Sequence, residues 1–302
     1  MKRILVAAIG FSAAVASGGT PSLAQQYAEY GQLMVTQLVS APFPHPDRAQ
    51  GHKYKEEFHS AVEHYSDSTV AIFIPKGFRE TDRVDFVVHF HGWRNDVAGV
   101  LRGYKLIEQL LESGRNAVLI VPQGPRDAPD SFGGKLEDAA GFQRFMSEVV
   151  QTLKQRSSLR NRNFEVGRII LSGHSGGYQV ISSILDRGGL TDTLSEVWLF
   201  DALYARTDKF LAWLERKQGR LMIVYTEHGG TKQETEQMMT TLKERGTDFF
   251  SGRESDLKLD INQRQGAVFL FTDLTHNDVL EKHRTFRDFL RTSCLAPRDQ
   301  KP

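Results

Sequence analysis

The chain has 302 residues, of which 40% are hydrophobic and 25% charged, with 26 Gly and 10 Pro; this balance excludes collagen-like, coiled-coil and wholly disordered classes and fits a globular protein. Lys and Arg number 38 against 37 Asp and Glu, a net charge of +1, so no strong field directs the chain to nucleic acid or to an anionic membrane. The single cysteine, Cys294, excludes an intramolecular disulfide and a thiolate zinc cluster, and its charged surroundings in the tail give it no nucleophile's setting.

Lys2 and Arg3 precede an apolar run over residues 4–16, and Ser22-Leu23-Ala24 then matches a small-residue cleavage site before Gln25, with Ala14-Val15-Ala16 a second site. Basic, apolar and small segments in that order make a secretory signal. The run is too short, and too interrupted by Gly10, Ser12 and Ser17, for a stable membrane span. Residues 1–24 are therefore expected to be a leader, and residues 25–302 a single domain, secreted or periplasmic, that relies on its core and not on disulfides. A buried first helix is the competing reading of the same run.

In residues 30–68, Pro42, Pro44 and Pro46 punctuate the chain as turn residues, and segments 34–39 and 54–65 are expected as antiparallel edge strands. From Thr69 onward, apolar runs alternate with amphipathic stretches. Strands are expected at 70–74, 84–91, 117–121, 168–172, 196–200, 221–225 and 267–271, each rich in Val, Ile, Leu or Phe as strands covered on both faces are. Val97, Val100, Leu101, Tyr104, Ile107, Leu110 and Leu111 recur at helical intervals up to Gly114, and Phe142, Phe145, Met146, Val149, Val150 and Leu153 do the same. Further helices are expected at 176–186, 207–217, 231–245 and 277–292. Strands joined by helical crossovers give an α/β fold with a mostly parallel central sheet and helices on both faces.

Sites in such a sheet lie beyond the carboxyl ends of the strands. After 168–172 comes Gly173-His174-Ser175-Gly176-Gly177 and then a helix: G-x-S-x-G in the strand–turn–helix setting that lifts a serine hydroxyl above the sheet and leaves the next N–H free for an oxyanion. A serine needs a base, and the base an orienting carboxylate. His276 follows the last strand and is the expected base, whereas His283, further into the expected final helix, is expected at the surface. Asp201 and Glu227 each follow a strand and precede His276 in the chain. Asp201, flanked by apolar residues, is the preferred acid because a buried carboxylate needs a partner such as an imidazole N–H; Glu227 is the alternative, and Asp273 is too local. The turn His91-Gly92-Trp93 can place an amide opposite the elbow, so the amides of Gly176 and Trp93 are the expected oxyanion hole. His91, Gly92 and His174 border the same place and are expected to meet substrate. His89 and His91 share a strand face, but no third ligand accompanies them, so neither a metal nor a cofactor is expected.

These residues resemble the α/β-hydrolase superfamily of esterase and lipase type, over about 70–290, through strand order and three motifs: His91-Gly92-Trp93, Gly173 to Gly177, and His276. The order Ser…Asp…His agrees with it. The resemblance implies a sheet of about eight strands and a covalent acyl-enzyme cycle in which Ser175 attacks a carbonyl, His276 moves the proton and Asp201 fixes the imidazole tautomer. The superfamily commonly places the acid one strand later, which is Glu227 here; some members use the position of Asp201. No insertion for a large lid occurs between Ala202 and Gly219, so an open site is expected, roofed by 123–141 and 246–265. The charges of those loops suggest a small polar or cell-envelope ester as substrate. An amidase or peptidase with the same triad, for example on cell-wall peptides, and a non-catalytic binding protein on the same scaffold are the competing functions.

Overall fold

Apolar runs too short for helices form strands here because a two-sided sheet buries every side chain of such a run. The computed structural model describes residues 21–216, 219–257 and 266–298. The strands among them are β1 (Gly31–Gln37), β2 (His52–Tyr54), β3 (Glu57–His59), β4 (Thr69–Pro75), β5 (Arg83–Phe90), β6 (Val118–Pro122), β7 (Glu165–His174), β8 (Leu194–Phe200), β9 (Arg220–Thr226), β10 (Phe249–Arg253) and β11 (Gly266–Thr272). Nine form one sheet in the order β1-β4-β6-β5-β7-β8-β9-β11-β10, and β2 and β3 form a separate hairpin. The two pairings at one edge, β1 with β4 and β4 with β6, are antiparallel; the rest of the sheet is parallel.

The helices are α1 (Leu23–Gln26), α2 (Ala61–His64), α3 (Val97–Gly103), α4 (Leu106–Ser113), α5 (Gly141–Arg156), α6 (Tyr178–Arg187), α7 (Thr207–Arg216), α8 (Lys232–Glu244) and α9 (Thr285–Arg291). Successive strand residues point to opposite faces, so Val197 and Leu199 of β8 join the core packed by α5 to α8, while Trp198 and Phe200 join the core packed by α3, α4 and α9. The mostly parallel α/β sheet is thus covered on both faces, as its sequence pattern predicts.

The structure departs from expectation in three places and adds one element. The sheet of about eight strands has nine, Phe249–Arg253 adding β10 parallel to β11; with only two apolar residues the segment carries little pattern, and an edge position, where Phe249 meets the Phe269 ring at 5.4 Å, asks for no more. Residues 54–65 are not an edge strand but the end of the β2–β3 hairpin and the short α2, whose N-cap Ser60 accepts the Glu63 N–H. The helix over 97–111 is two, broken where Lys105 takes φ 49°. The helix expected over 277–292 is confined to α9, the residues before it being turns. The segment expected as a leader lies, through Thr20, outside the described residues. Among the described residues no helix is long and apolar enough to cross a membrane.

Strand order determines where a site can form. From β5 the chain moves outward to β6, then returns to the other side of β5 as β7. The connections leaving β5 and β7 therefore part in opposite directions, and a crevice opens at their carboxyl ends.

Candidate active site

Ser175 sits in that crevice. β7 ends at His174, Ser175 takes φ 54°, and α6 begins at Tyr178. A left-handed serine costs about 1–3 kcal/mol and persists only where the surroundings dictate it. Across the crevice, Gly92 follows β5: a Cβ on it would lie 2.5 Å from Ser175 Cβ and 3.0 Å from Oγ. The Gly92–Trp93 peptide therefore lies directly against the serine. His91 supports that turn, donating from Nδ1 to the Gly92 carbonyl at 2.8 Å and accepting the Gly124 N–H on Nε2 at 2.9 Å. With both nitrogens engaged and its pKa lowered by burial, His91 is a neutral brace.

Asp201 follows β8 at φ 46°, left-handed like Ser175. Its side chain is wholly buried and 2.6 Å from His276 Nδ1. The Thr226 N–H and Oγ1 donate to the carboxylate at 3.2 and 2.9 Å, and the Thr231 hydroxyl donates as well. Burial would raise the carboxyl pKa, but the hydrogen bonds from His276, Thr231 and Thr226 outweigh it and hold the pKa below the usual value. Gly229 leaves room for the carboxylate: a Cβ there would lie 1.7 Å from Asp201 Oδ2. His276 is partly exposed, with its ring 4.7 Å from that of His174, the residue before Ser175. Imidazole and carboxylate from the ends of β11 and β8 thus meet, and the imidazole lies against His174, the residue before Ser175 at the end of β7.

No protein-family model and no curated protein sequence matches the chain. Solved structures do. The fluorophosphonate-binding serine hydrolase FphF of Staphylococcus aureus aligns over 87% of this chain and 99% of its own at 12% identity, with a TM-score of 0.51. The feruloyl esterase module from Clostridium thermocellum, in complex with sinapinate, aligns over 87% of this chain and 88% of its own at 10% identity, with a TM-score of 0.53. A ferulic acid esterase aligns over 86% and 99% at 10% identity, with a TM-score of 0.51. The chain has the α/β-hydrolase fold.

Within the hydrolase fold, the structure separates the two acids considered from sequence. Glu227 turns outward to Lys232, which donates to both its oxygens at 2.8 and 2.9 Å, and Asp273 pairs with Arg253; Asp201 alone of the three meets His276. His283 contacts Glu254 at 3.1 Å, away from this cluster. His91 and His174, expected to touch substrate, are buried with both ring nitrogens engaged inside the protein. His89 points into the core against the Ser172 hydroxyl at 2.9 Å.

The expected charged roof is also different. Asp130 pairs with Arg48, Arg126 with Asp67, and Glu137 accepts from Gly133 N and Gln179. Residues 249–253 form β10 instead of covering the site. Asp130 and Glu137 are thus buried, whereas Arg126, Asp127, Asp138 and Arg253 stay exposed, and residues 258–265 of the second expected roof lie outside the described residues. The exposed lip is aromatic: Trp93 meets the Tyr54 ring at 5.0 Å and donates from Nε1 to Ser131 at 2.8 Å. Tyr204 was missed in the sequence because it follows no strand directly. Its hydroxyl donates to the Gly229 carbonyl at 2.6 Å, and burial, aided by the charge of Asp201, raises its pKa to about 12 while a hydrogen bond from Ser175 opposes the rise.

Proposed function

We propose that this chain is an exported serine esterase in which Ser175 is the nucleophile, His276 the general base and Asp201 the residue that orients the imidazole. The observation that carries the reading is the 2.6 Å contact of His276 Nδ1 with a buried, multiply hydrogen-bonded carboxylate. That contact keeps the proton on Nδ1 and the lone pair on Nε2, the nitrogen free to deprotonate a hydroxyl. Ser175 Oγ attacks the ester carbonyl as its proton passes to His276 Nε2. The negative charge on the carbonyl oxygen is received by the amides of Gly176 and Trp93, which flank Ser175 on its two sides. His276 returns the proton to the departing alcohol, and the same steps with water release the acid and restore Ser175.

The substrate is a small-molecule or cell-envelope ester whose acyl or alcohol part passes the Trp93–Tyr54 lip. Export rests on the expected leader, and cleavage before Gln25 is checked by the N-terminal residue of protein recovered outside the cytoplasm. The chemistry is tested with a fluorophosphonate probe and a short-chain aryl ester on the native chain and on Ser175→Ala. Labelling and turnover are expected to vanish in Ser175→Ala; labelling that survives there removes Ser175 from the reaction. Matched esters and amides then decide between esterase and amidase or peptidase action, and esters are expected to be cleaved faster.

A further inference from the structure

Resting on the serine-esterase reading, we propose that His174 is a positioning residue that ties the loop carrying His276 to the nucleophile turn, with Tyr104 holding its other ring nitrogen. A carbonyl oxygen can only accept, so the 2.9 Å contact of His174 Nε2 with the His276 carbonyl places the His174 proton on Nε2. Its Nδ1 then carries a lone pair, and the Tyr104 hydroxyl 3.1 Å away is the donor. The chain of bonds runs from Tyr104 through His174, one residue before Ser175, to the main chain of His276.

Two restraints of different kind therefore meet on His276. Asp201 sets the rotation and tautomer of the ring. His174 sets the height of the backbone from which the ring projects, and supports the ring itself at a 4.7 Å centroid distance and an interplanar angle of 32°. The bonds of Leu274 N–H to Thr272 Oγ1 and of Thr275 Oγ1 to Asp278 are local, and Asp273 reaches Arg253 through an exposed side chain, so the tie to the His276 backbone comes from His174. Burial, reinforced by the charge that His276 acquires, lowers the His174 pKa to about 4. His174 therefore stays neutral while its neighbour is an imidazolium, and the bond to the His276 carbonyl persists through the cycle.

The test compares His174→Phe, His174→Gln and Tyr104→Phe with the native chain and Ser175→Ala, using steady-state turnover of a short-chain aryl ester and thermal melts. A displacement on the order of 1 Å at a reacting group costs up to about 100-fold. His174→Phe is expected to lower kcat roughly 10- to 100-fold with KM nearly unchanged. His174→Gln, whose amide N–H can reach the same carbonyl, is expected to recover most of that loss. Tyr104→Phe keeps the imidazole but removes the donor that holds Nδ1 and so loosens the ring, and a smaller loss in kcat is expected; it also serves if His174→Phe does not fold. Folded His174→Phe with native kcat overturns the proposal, as does equal loss in the Phe and Gln variants or native kcat in Tyr104→Phe. If Ser175→Ala abolishes turnover in the same series, such results leave the esterase reading standing; turnover that persists in Ser175→Ala overturns both.

Discussion

Replacing Asp201 with asparagine removes a charge while keeping the volume, and the structure dictates which way the amide must face. The carboxylate accepts on Oδ1 from the Thr226 N–H and the Thr231 hydroxyl, and on Oδ2 from Thr226 Oγ1 and His276 Nδ1. A backbone N–H cannot turn away, so the asparagine oxygen takes the Oδ1 place and its NH2 group faces His276. Both threonine hydroxyls can adapt by rotation, but His276 can meet an NH2 group only by accepting on Nδ1. Its proton then moves to Nε2, the nitrogen that must be bare to take the Ser175 proton. This wrong-tautomer state costs about 10,000-fold in kcat where the same triad logic operates, or about 5.5 kcal/mol of transition-state stabilisation. The assay is turnover of a short-chain aryl acetate by Asp201→Asn, with melts to confirm folding and Glu227→Gln as control. Glu227 is exposed and bonded to Lys232, so that control is expected within about twofold of the native chain, the range of a surface change. Asp201→Asn activity within tenfold of native, or a larger loss in Glu227→Gln, would refute the reasoning.

Four further outcomes are expected. Gly92→Ala drives a methyl against Ser175, 2.5 Å from its Cβ, and is expected to lower kcat by about 100-fold or more while the chain still folds, read by probe labelling rate and melts. Thr231→Val removes one donor from Asp201; the carboxyl pKa should rise and stability fall by about 1–3 kcal/mol, seen in denaturant titrations at pH 7. Glu196→Gln leaves Arg220, its buried partner at 2.7 Å, without a counter-charge; a loss of about 3–5 kcal/mol with unchanged kcat is expected, since both residues lie at the amino end of the sheet. Stability should also decline with acid through His174, whose pKa falls from 6.5 to about 4 on folding. Above pH 6.5 both states are neutral and the contribution is complete; as pH drops toward 4 the unfolded chain binds the proton first, and on the order of 3 kcal/mol is lost. A melting series from pH 7 to 4 should show a shallower slope for His174→Phe, and equal slopes would remove His174 as the source.

The sequence shows the mostly parallel α/β sheet in its seven apolar runs because strands buried on both faces cannot be built from alternating residues. It shows the tight turn that bears Ser175 because Gly173-His174-Ser175-Gly176-Gly177 needs only its immediate neighbours to form. Edge elements were less legible. Phe249–Arg253 becomes β10 through pairing with β11, a partner that nothing within the segment identifies, and the segment 54–65 divides into hairpin and helix through local caps and turns instead of periodicity.

Local pattern thus determined the layers of this protein, the crest that bears Ser175, and His276 at the opposite end of the chain, since each depends on residues close together in sequence. Only the tertiary structure chose Asp201 over Glu227, buried Asp130 and Glu137 of the expected roof, and placed His174 beneath the loop of His276. Those outcomes depend on which groups meet across strand ends 25 to 102 residues apart. A carboxylate's role is set by the donors that surround it once folded, and the sequence around Asp201 and Glu227 contains the donors without their positions.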